Sequence, residues 1–322
     1  MTFWEHKTVC ITGATGSFGN AMARALLSQN VKAVRCLSRD ELKQSEMEQR
    51  FRDPRLRFLL GDVRDRSRLH RAFDGCDVVI NAAALKRVDK GSYDPTEFVA
   101  TNVVGAQNIV EAALDAGVGR VVSLSTDKAS APLTLYGATK LVAEQIFRAA
   151  NAYGGKRCDF LTVRYGNVVG SRGSLVPMLM EQAKTGTVTL TDERMTRFWM
   201  TLGDAVRLVC RAAEHGHPGT TLIPMLPAAR VVDIIEAVAP GCAVEVIGIR
   251  GAEKLHESLI SEDEAPYAWR GWMCMDAPED YVLGLPAAPG IEGRYASDNR
   301  GGFLSVGEIR GRIPQAMLES AL

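Results

Sequence analysis

The chain lacks any excess of charge: among its 322 residues Lys+Arg and Asp+Glu both number 38. With no global field there is no drive towards nucleic acid or an anionic membrane, so an anionic ligand must be caught by local charges. No uninterrupted apolar run is long enough to span a bilayer. The opening stretch MTFWEHKTVCITGATG has no basic region followed by a long apolar one, and no small-residue cleavage site. The seven cysteines, at 10, 36, 76, 158, 210, 242 and 274, are scattered, odd in number and without a CxxC pair. That pattern excludes a disulfide framework and a zinc site and reads as free thiols in a reducing compartment. A cytoplasmic setting is therefore expected. The one close histidine pair, His215 and His217, stands beside Pro218 and reads as a helix-ending loop. No metal is expected, and internal repeats and low-complexity tracts are missing.

What is present is a rhythm. Short apolar runs at 8–12, 33–37, 57–60, 77–81, 120–125 and 160–164 alternate with amphipathic stretches at 20–28, 42–51, 67–73, 96–116 and 135–152. Strands separated by helices imply right-handed crossovers and a parallel sheet covered on both faces. The near-continuous apolar strands fit burial on both sides. After Arg164 glycines and prolines punctuate shorter elements, and the tail from Ala287 reads as loop. The expected fold is α/β: a doubly wound parallel Rossmann sheet with a smaller interleaved C-terminal lobe. Residues 1–166, with returning elements near 203–230, would form the dinucleotide-binding domain. Residues 167–202 and 231–322 would form the substrate lobe.

The first strand runs into Thr-Gly-Ala-Thr-Gly-Ser-Phe-Gly (12–19) and then a helix. Gly13 permits a tight turn, Gly16 a close approach to pyrophosphate and Gly19 close helix packing. Thr15, Ser17 and Phe18 complete the turn, and the helix N-terminus offers N–H groups to the anion. The end of the second strand decides the cofactor. An NAD site places an acid there for the ribose 2′-hydroxyl. Here Arg39, flanked by Ser38 and followed a turn later by Lys43, suits a 2′-phosphate and favours NADP, while Asp40 keeps NAD open. Asp62 and Val63 are placed at the adenine edge, and Ala82, Ala83 and Ala84 allow close passage of the cofactor.

The fifth strand ends in Ser-Leu-Ser-Thr-Asp-Lys (123–128), and Tyr136 and Lys140 follow at i and i+4 on one helix face. A lysine ammonium beside a phenol lowers its pKa towards that of a general base, and Ser125 or Thr126 would bond the same substrate hydroxyl. Asp127 and Lys128 add an acid and a base at the carboxyl end of a parallel strand, where ligands sit in such sheets. Oxidation of a hexose at C4 acidifies the C5 proton. A neutral Lys128 would take that proton while a protonated Asp127 helps the C6 hydroxyl leave as water. Hydride then returns to C6, so the tightly bound cofactor is regenerated each turnover.

At these residues the chain resembles the UDP-N-acetylglucosamine 4,6-dehydratases of the extended short-chain dehydrogenase/reductase family, most closely the C5-inverting branch that starts pseudaminic acid synthesis. The matching segments include TGATGSFG (12–19), SRDELKQSEM (38–47), AAALK (82–86), TNVVGAQN (101–108), LSTDKA (124–129), LYGATKL (135–141), VRYGNVVGSRGS (163–174), RMTRFW (194–199) and IGIRGAEKLHE (247–257). The resemblance implies a hydro-lyase acting on a UDP-sugar, with Asp127 as acid, Lys128 as base, Tyr136 as oxidation base, Lys140 supporting it and Thr126 polarising the C4 oxygen. It implies that Asn167, Arg172, Ser174, Arg250 and Glu253 embrace the UDP moiety, that Lys86, Arg194, Thr196 and Arg197 line the substrate pocket, and that the chain forms a homo-oligomer, a hexamer or a dimer. The loop after AAALK departs from the family, reading Arg87-Val88-Asp89-Lys90-Gly91-Ser92 where His-Val-Pro is usual. A different sugar nucleotide, or a 4-epimerase or reductase on the same scaffold, are the competing readings.

Overall fold

The computed structural model describes residues 2–91, 93–153, 157–171, 173–249, 251, 253–271, 280–284, 289–299 and 302–320. Six strands, β1 (Thr8–Thr12), β2 (Ala33–Ser38), β3 (Leu56–Leu60), β4 (Val78–Asn81), β5 (Arg120–Leu124) and β6 (Asp159–Val163), lie parallel in the order 3-2-1-4-5-6. Thr221–Pro224 extends the sheet in parallel beside β6, and Asp280–Leu283 and Ala268–Gly271 close that edge antiparallel. β1 and β4 are buried along their whole lengths, as strands with helices on both faces must be. The strand order reverses between β1 and β4, and a ligand crevice opens at such a point, beyond the carboxyl ends of the strands.

Helices α1 (Ser17–Leu27), α2 (Glu41–Phe51) and α3 (Arg66–Phe73) make the first crossovers. Asp40 and Asp65 start α2 and α3 by accepting from the backbone N–H groups of Lys43 and Arg68, a common way to satisfy a free helix end. The helix Leu135–Tyr153 buries Gly137, Lys140, Ala143, Glu144, Phe147 and Ala150, a stripe at three- and four-residue spacing that faces the sheet. Two of those positions are charged, which marks the stripe as more than core.

The structure departs from the sequence reading in three places. The helix expected over 96–116 is broken into Pro95–Phe98, a π-helical turn Val99–Val104 and Gly105–Asp115. The widened turn holds Asn102, whose amide bonds both backbone groups of Leu85 at 2.9 and 3.0 Å and Thr139 Oγ1 at 3.0 Å. One side chain thus pins the loop after β4 onto the helix of Tyr136, and such π turns often mark functional sites. The stretch 287–303 expected as loop contains Tyr295–Ala296, paired antiparallel with Ser258–Ile260, and the helix Val306–Ser320 follows it. The fifth strand stops one residue earlier than expected, at Leu124.

Beyond β6, Thr187–Leu190 pairs parallel with Ala243–Val246, and Thr196–Phe198 antiparallel with Ala228–Arg230. Val176, Leu179, Val188, Trp199, Ile234, Ile235 and Ile309 form a buried apolar cluster of their own there, distinct from those on the two faces of the sheet. Among the described residues no helix is long and apolar enough to cross a membrane.

Candidate active site

A cleft of about 1560 Å³ runs along the carboxyl ends of the parallel strands. One end is formed by the Gly-rich turn. Gly13 has φ +68°, and a Cβ there would lie 2.8 Å from the Ala82 carbonyl oxygen, so only glycine lets the two loops meet. Gly16 occupies the N-cap of α1 with no side chain to close it, and the first turn of α1 carries no acid. This is an open, anion-tolerant helix end. Gly13, Thr15, Gly16, Ser17, Phe18, Gly19, Ser38, Arg39, Lys43, Asp62, Val63, Ala82, Ala83 and Ala84 all line the cleft. An extended dinucleotide fits this donor set: a glycine cradle for the pyrophosphate, small residues beyond it and cations at the far end.

The groups at that far end are already partnered. Asp40 caps α2 through Lys43 N (3.0 Å) and holds Lys43 Nζ at 2.5 Å. Ser38 Oγ accepts from Gln44 at 2.9 Å, so it is fixed inward. Asp62 takes Arg64 at 2.7 Å and lies 3.6 Å from Arg39, whose side chain is half exposed.

The other half of the cleft holds Thr126, Lys128, Tyr136, Lys140, Lys86, Asn167 and Ser174. A short 3-10 turn, Asp127–Ala129, follows β5. Thr126 Oγ1 donates to Asp127 Oδ1 at 2.7 Å, and Lys128 Nζ stands 3.1 Å from that oxygen and 3.4 Å from Asn167 Oδ1. Asp127 itself is buried behind Thr126 and Lys128, and its Oδ2 has no protein partner.

Four expectations need correction here. Lys128 is not a neutral amine: although burial opposes its charge, the Asp127 carboxylate, with Glu257 adding to it when ionised, holds its ammonium well above the ordinary lysine range. By the same contact Asp127 is ion-paired, not a free acid. Lys140 does not point at the phenol. Its Nζ donates to the Leu124 carbonyl at 2.6 Å, and burial lowers it to about 8. Burial pushes the Tyr136 phenol up, and Lys128 and Thr126 draw it back. Finally, Arg194 and Thr196 are not cleft residues. Arg194 grips Asp192 at 2.8 Å on the surface, and Thr196 is buried against His256 and Ser297 at 2.8 and 2.7 Å.

Arg197 lies beside a second, small cavity of about 20 Å³ next to Asn167 and Ser174. Ser174 Oγ and Glu253 Oε2 are buried without protein partners, and of the two residues only Ser174 lines the cleft. Arg172, Arg250 and Ser92 lie outside the described residues.

Two features escaped the sequence reading. Glu257 closes the site, its Oε1 3.5 Å from Lys128 Nζ. Behind the turn a buried ion network joins Ser125, Glu144, Arg164 and Glu264: Arg164 reaches Glu144 at 2.6 Å and Glu264 at 2.8 Å and is fully buried. It ties the ends of β5 and β6 to the helix of Tyr136, and removing one partner of such a group typically costs about 3–5 kcal/mol.

Comparison with known proteins places this site. The polysaccharide biosynthesis protein family matches residues 9–273. The chain belongs to that family. It is 46% identical over 267 residues to a UDP-N-acetylglucosamine 4,6-dehydratase (inverting) of Campylobacter jejuni, covering 81% of this chain and 80% of that one. It is 40% identical over 268 residues to a UDP-glucose 4-epimerase of Rickettsia conorii, covering 80% and 79%. Among solved structures, Pen from Bacillus thuringiensis superposes with TM-score 0.90 at 34% identity, over 98% of this chain and 99% of that one. A dTDP-glucose 4,6-dehydratase from Streptomyces venezuelae, solved with NAD, superposes with TM-score 0.68 at 26% identity, over 77% and 86%. By fold this family member is an extended short-chain dehydrogenase/reductase.

Proposed function

We propose that the protein is a nucleotide-sugar 4,6-dehydratase that converts UDP-N-acetylglucosamine to a UDP-4-keto-6-deoxy-N-acetylhexosamine. The observation that carries this is the Thr126–Asp127–Lys128–Tyr136 constellation, an acid–base pair beside an oxidation base, in a chain 46% identical to an enzyme of that name. A bound nicotinamide dinucleotide supplies the hydride acceptor for C4 and the hydride donor for C6. Tyr136, with Thr126, takes the proton of the C4 hydroxyl.

The Lys128–Asp127 contact at 3.1 Å then provides both remaining catalysts at once. Transfer of one proton from Nζ to the carboxylate leaves a neutral amine and a protonated acid. The amine takes the C5 proton, the C5–H electron pair forms the C5–C6 double bond, the C6–O bond breaks, and the Asp127 proton leaves with the oxygen as water. Asp127 is buried, so its proton reaches the sugar through the cleft-lining Thr126, to which it is bonded. Delivery of a proton to C5 from the face opposite Lys128 would invert that centre.

We infer NADP as the preferred cofactor. Asp40, the acid that would hold a 2′-hydroxyl, is committed to capping α2, while Arg39 faces the cleft. Asn167, Ser174, Arg197 and Glu253 support the diphosphate and ribose, and Lys86 the sugar. Exposed Tyr93, Val99, Val104 and Val142, on neighbouring helical segments, support a homo-oligomer, which sedimentation would test.

The test is incubation of the purified protein with UDP-N-acetylglucosamine in deuterated water without added reductant. A product lighter by one water, with deuterium at C5 and a new C6 methyl group, is expected. A C4 epimer with no deuterium at C5 would make the enzyme an epimerase instead.

A further inference from the structure

Lys128 has two carboxylates around it, and the reaction accounts for only one. Glu257 arrives from the lobe, far along the chain, with its side chain 7% exposed. Its Oε1 is 3.5 Å from Lys128 Nζ and 3.8 Å from Arg197 Nε, and its Oε2 is buried with no partner. Its backbone is clamped by Ser297, which donates through N at 2.8 Å and accepts through Oγ at 3.0 Å. Among the described residues no hydrogen bond to that carboxyl supports the surrounding fold.

The cluster gathers two carboxylates, from Asp127 and Glu257, around the single Lys128 ammonium, with the Arg197 guanidinium 3.8 Å from Glu257. It also leaves two carboxylate oxygens, Asp127 Oδ2 and Glu257 Oε2, without donors. Each orphaned oxygen is costly, and a proton on Glu257 removes the charge from its own carboxyl. Asp127 accepts from Thr126 and Lys128, whereas Glu257 receives no hydrogen bond within normal distance, so the proton belongs on Glu257. Two further cations face it and oppose that proton, each also held by backbone carbonyls. Arg197 has Nη1 on the carbonyls of Thr196 and Leu255, and Lys254 Nζ is bound to the carbonyls of Ser130 and Ala131. His256 turns to Thr196, and Tyr136 lies across Lys128.

We propose that Glu257 is a positioning residue for Lys128, acting in its protonated form. With Glu257 neutral, Lys128 is paired with Asp127 alone, and a single proton transfer between them frees the amine to take the C5 proton. With Glu257 ionised, a second carboxylate holds the ammonium and the amine is withheld. Burial and the charge of Asp127 both raise the Glu257 carboxyl above the usual range, in keeping with this role. The inference rests on the dehydratase reading.

Glu257→Gln imitates the protonated carboxyl without the ability to ionise. The kcat and KM for water loss from UDP-N-acetylglucosamine would be measured against pH for both proteins. The alkaline fall of kcat should move upward in the variant by about one pH unit or more, with the change on kcat and not on KM. A profile superimposable on that of the wild type would overturn the proposal. So would a collapse of kcat restored by Glu257→Asp, which would make the ionised carboxylate the working form. Should the variant fail to fold, infrared spectroscopy of the wild type with isotope-labelled glutamate decides: a protonated glutamic acid band at neutral pH is expected, and its absence refutes the idea. A wild type that loses no water would sink the reaction assignment, while water loss with an unmoved profile would sink only Glu257.

Discussion

Gly137 directly follows Tyr136, the proposed oxidation base, and the reason is steric. A Cβ at this position would lie 2.0 Å from the Lys128 carbonyl oxygen and 2.9 Å from its carbon, both backbone atoms. Relief requires the helix and the turn to part by about 1 Å, because carbon does not approach backbone oxygen much below van der Waals contact. Intrinsic helix preference runs the other way, since alanine is favoured over glycine by about 1 kcal/mol in a helix interior and by less in a first turn. The overlap dominates. The parting separates Tyr136 from Lys128, the groups proposed to act on C4 and C5 of one sugar ring, and a misplacement of about 1 Å can cost about a hundredfold in rate. Gly137→Ala should therefore fold and retain dinucleotide while kcat for water loss falls about a hundredfold. Turnover by proton NMR, melting temperature and bound-nucleotide absorbance would be measured on one preparation. A folded, nucleotide-loaded variant with kcat close to the wild type would refute the argument that this contact sets the spacing of the two groups.

Arg39→Ala should weaken NADP by about tenfold or more, the lower end of the worth of a charge-assisted hydrogen bond given how exposed the side chain is, and should leave NAD nearly unchanged. Fluorescence titration of both nucleotides checks this, and equal losses would overturn the assignment of the 2′-phosphate. Lys140 carries a pH signature. Its ammonium titrates at about 8 in the fold against 10.5 ordinarily, so below about pH 8 both folded and unfolded chains are protonated and the fold bears the full burial cost. Between those values the unfolded chain binds more protons, and stability should rise with pH by at most about 3 kcal/mol before levelling off. Urea midpoints of wild type and Lys140→Met should diverge across that window, and parallel curves would show that the ammonium is not buried as described.

The fold was legible because its signals are local. The Gly-rich turn needs Gly13 at positive φ against Ala82, and the parallel strands need continuous apolar runs, so each announces itself within a few residues. The dinucleotide half of the cleft followed with it. The π turn was hidden, since Thr96 to Ala116 keeps helical periodicity and only the Asn102–Leu85 contact requires the extra residue. The strand at Tyr295–Ala296 was hidden too, because its partner at Ser258–Ile260 lies outside any local window.

Charge states were the least legible feature, and the two site lysines show why. Lys140 is the deeper, 5% exposed, and with only Glu144 acting in its favour its ammonium titrates near 8. Lys128, with its side chain 26% exposed, goes the opposite way. Burial alone moves a lysine down by a few pKa units, but a carboxylate at 3.1 Å contributes about 5 kcal/mol at an effective dielectric near 20, more than enough to offset it. Asp127 is visible as the neighbour of Lys128 in sequence. The second carboxyl group, from Glu257, is brought to within 3.5 Å of Lys128 by the fold, so part of the charge environment of Lys128 comes from a residue that no window around LSTDKA contains.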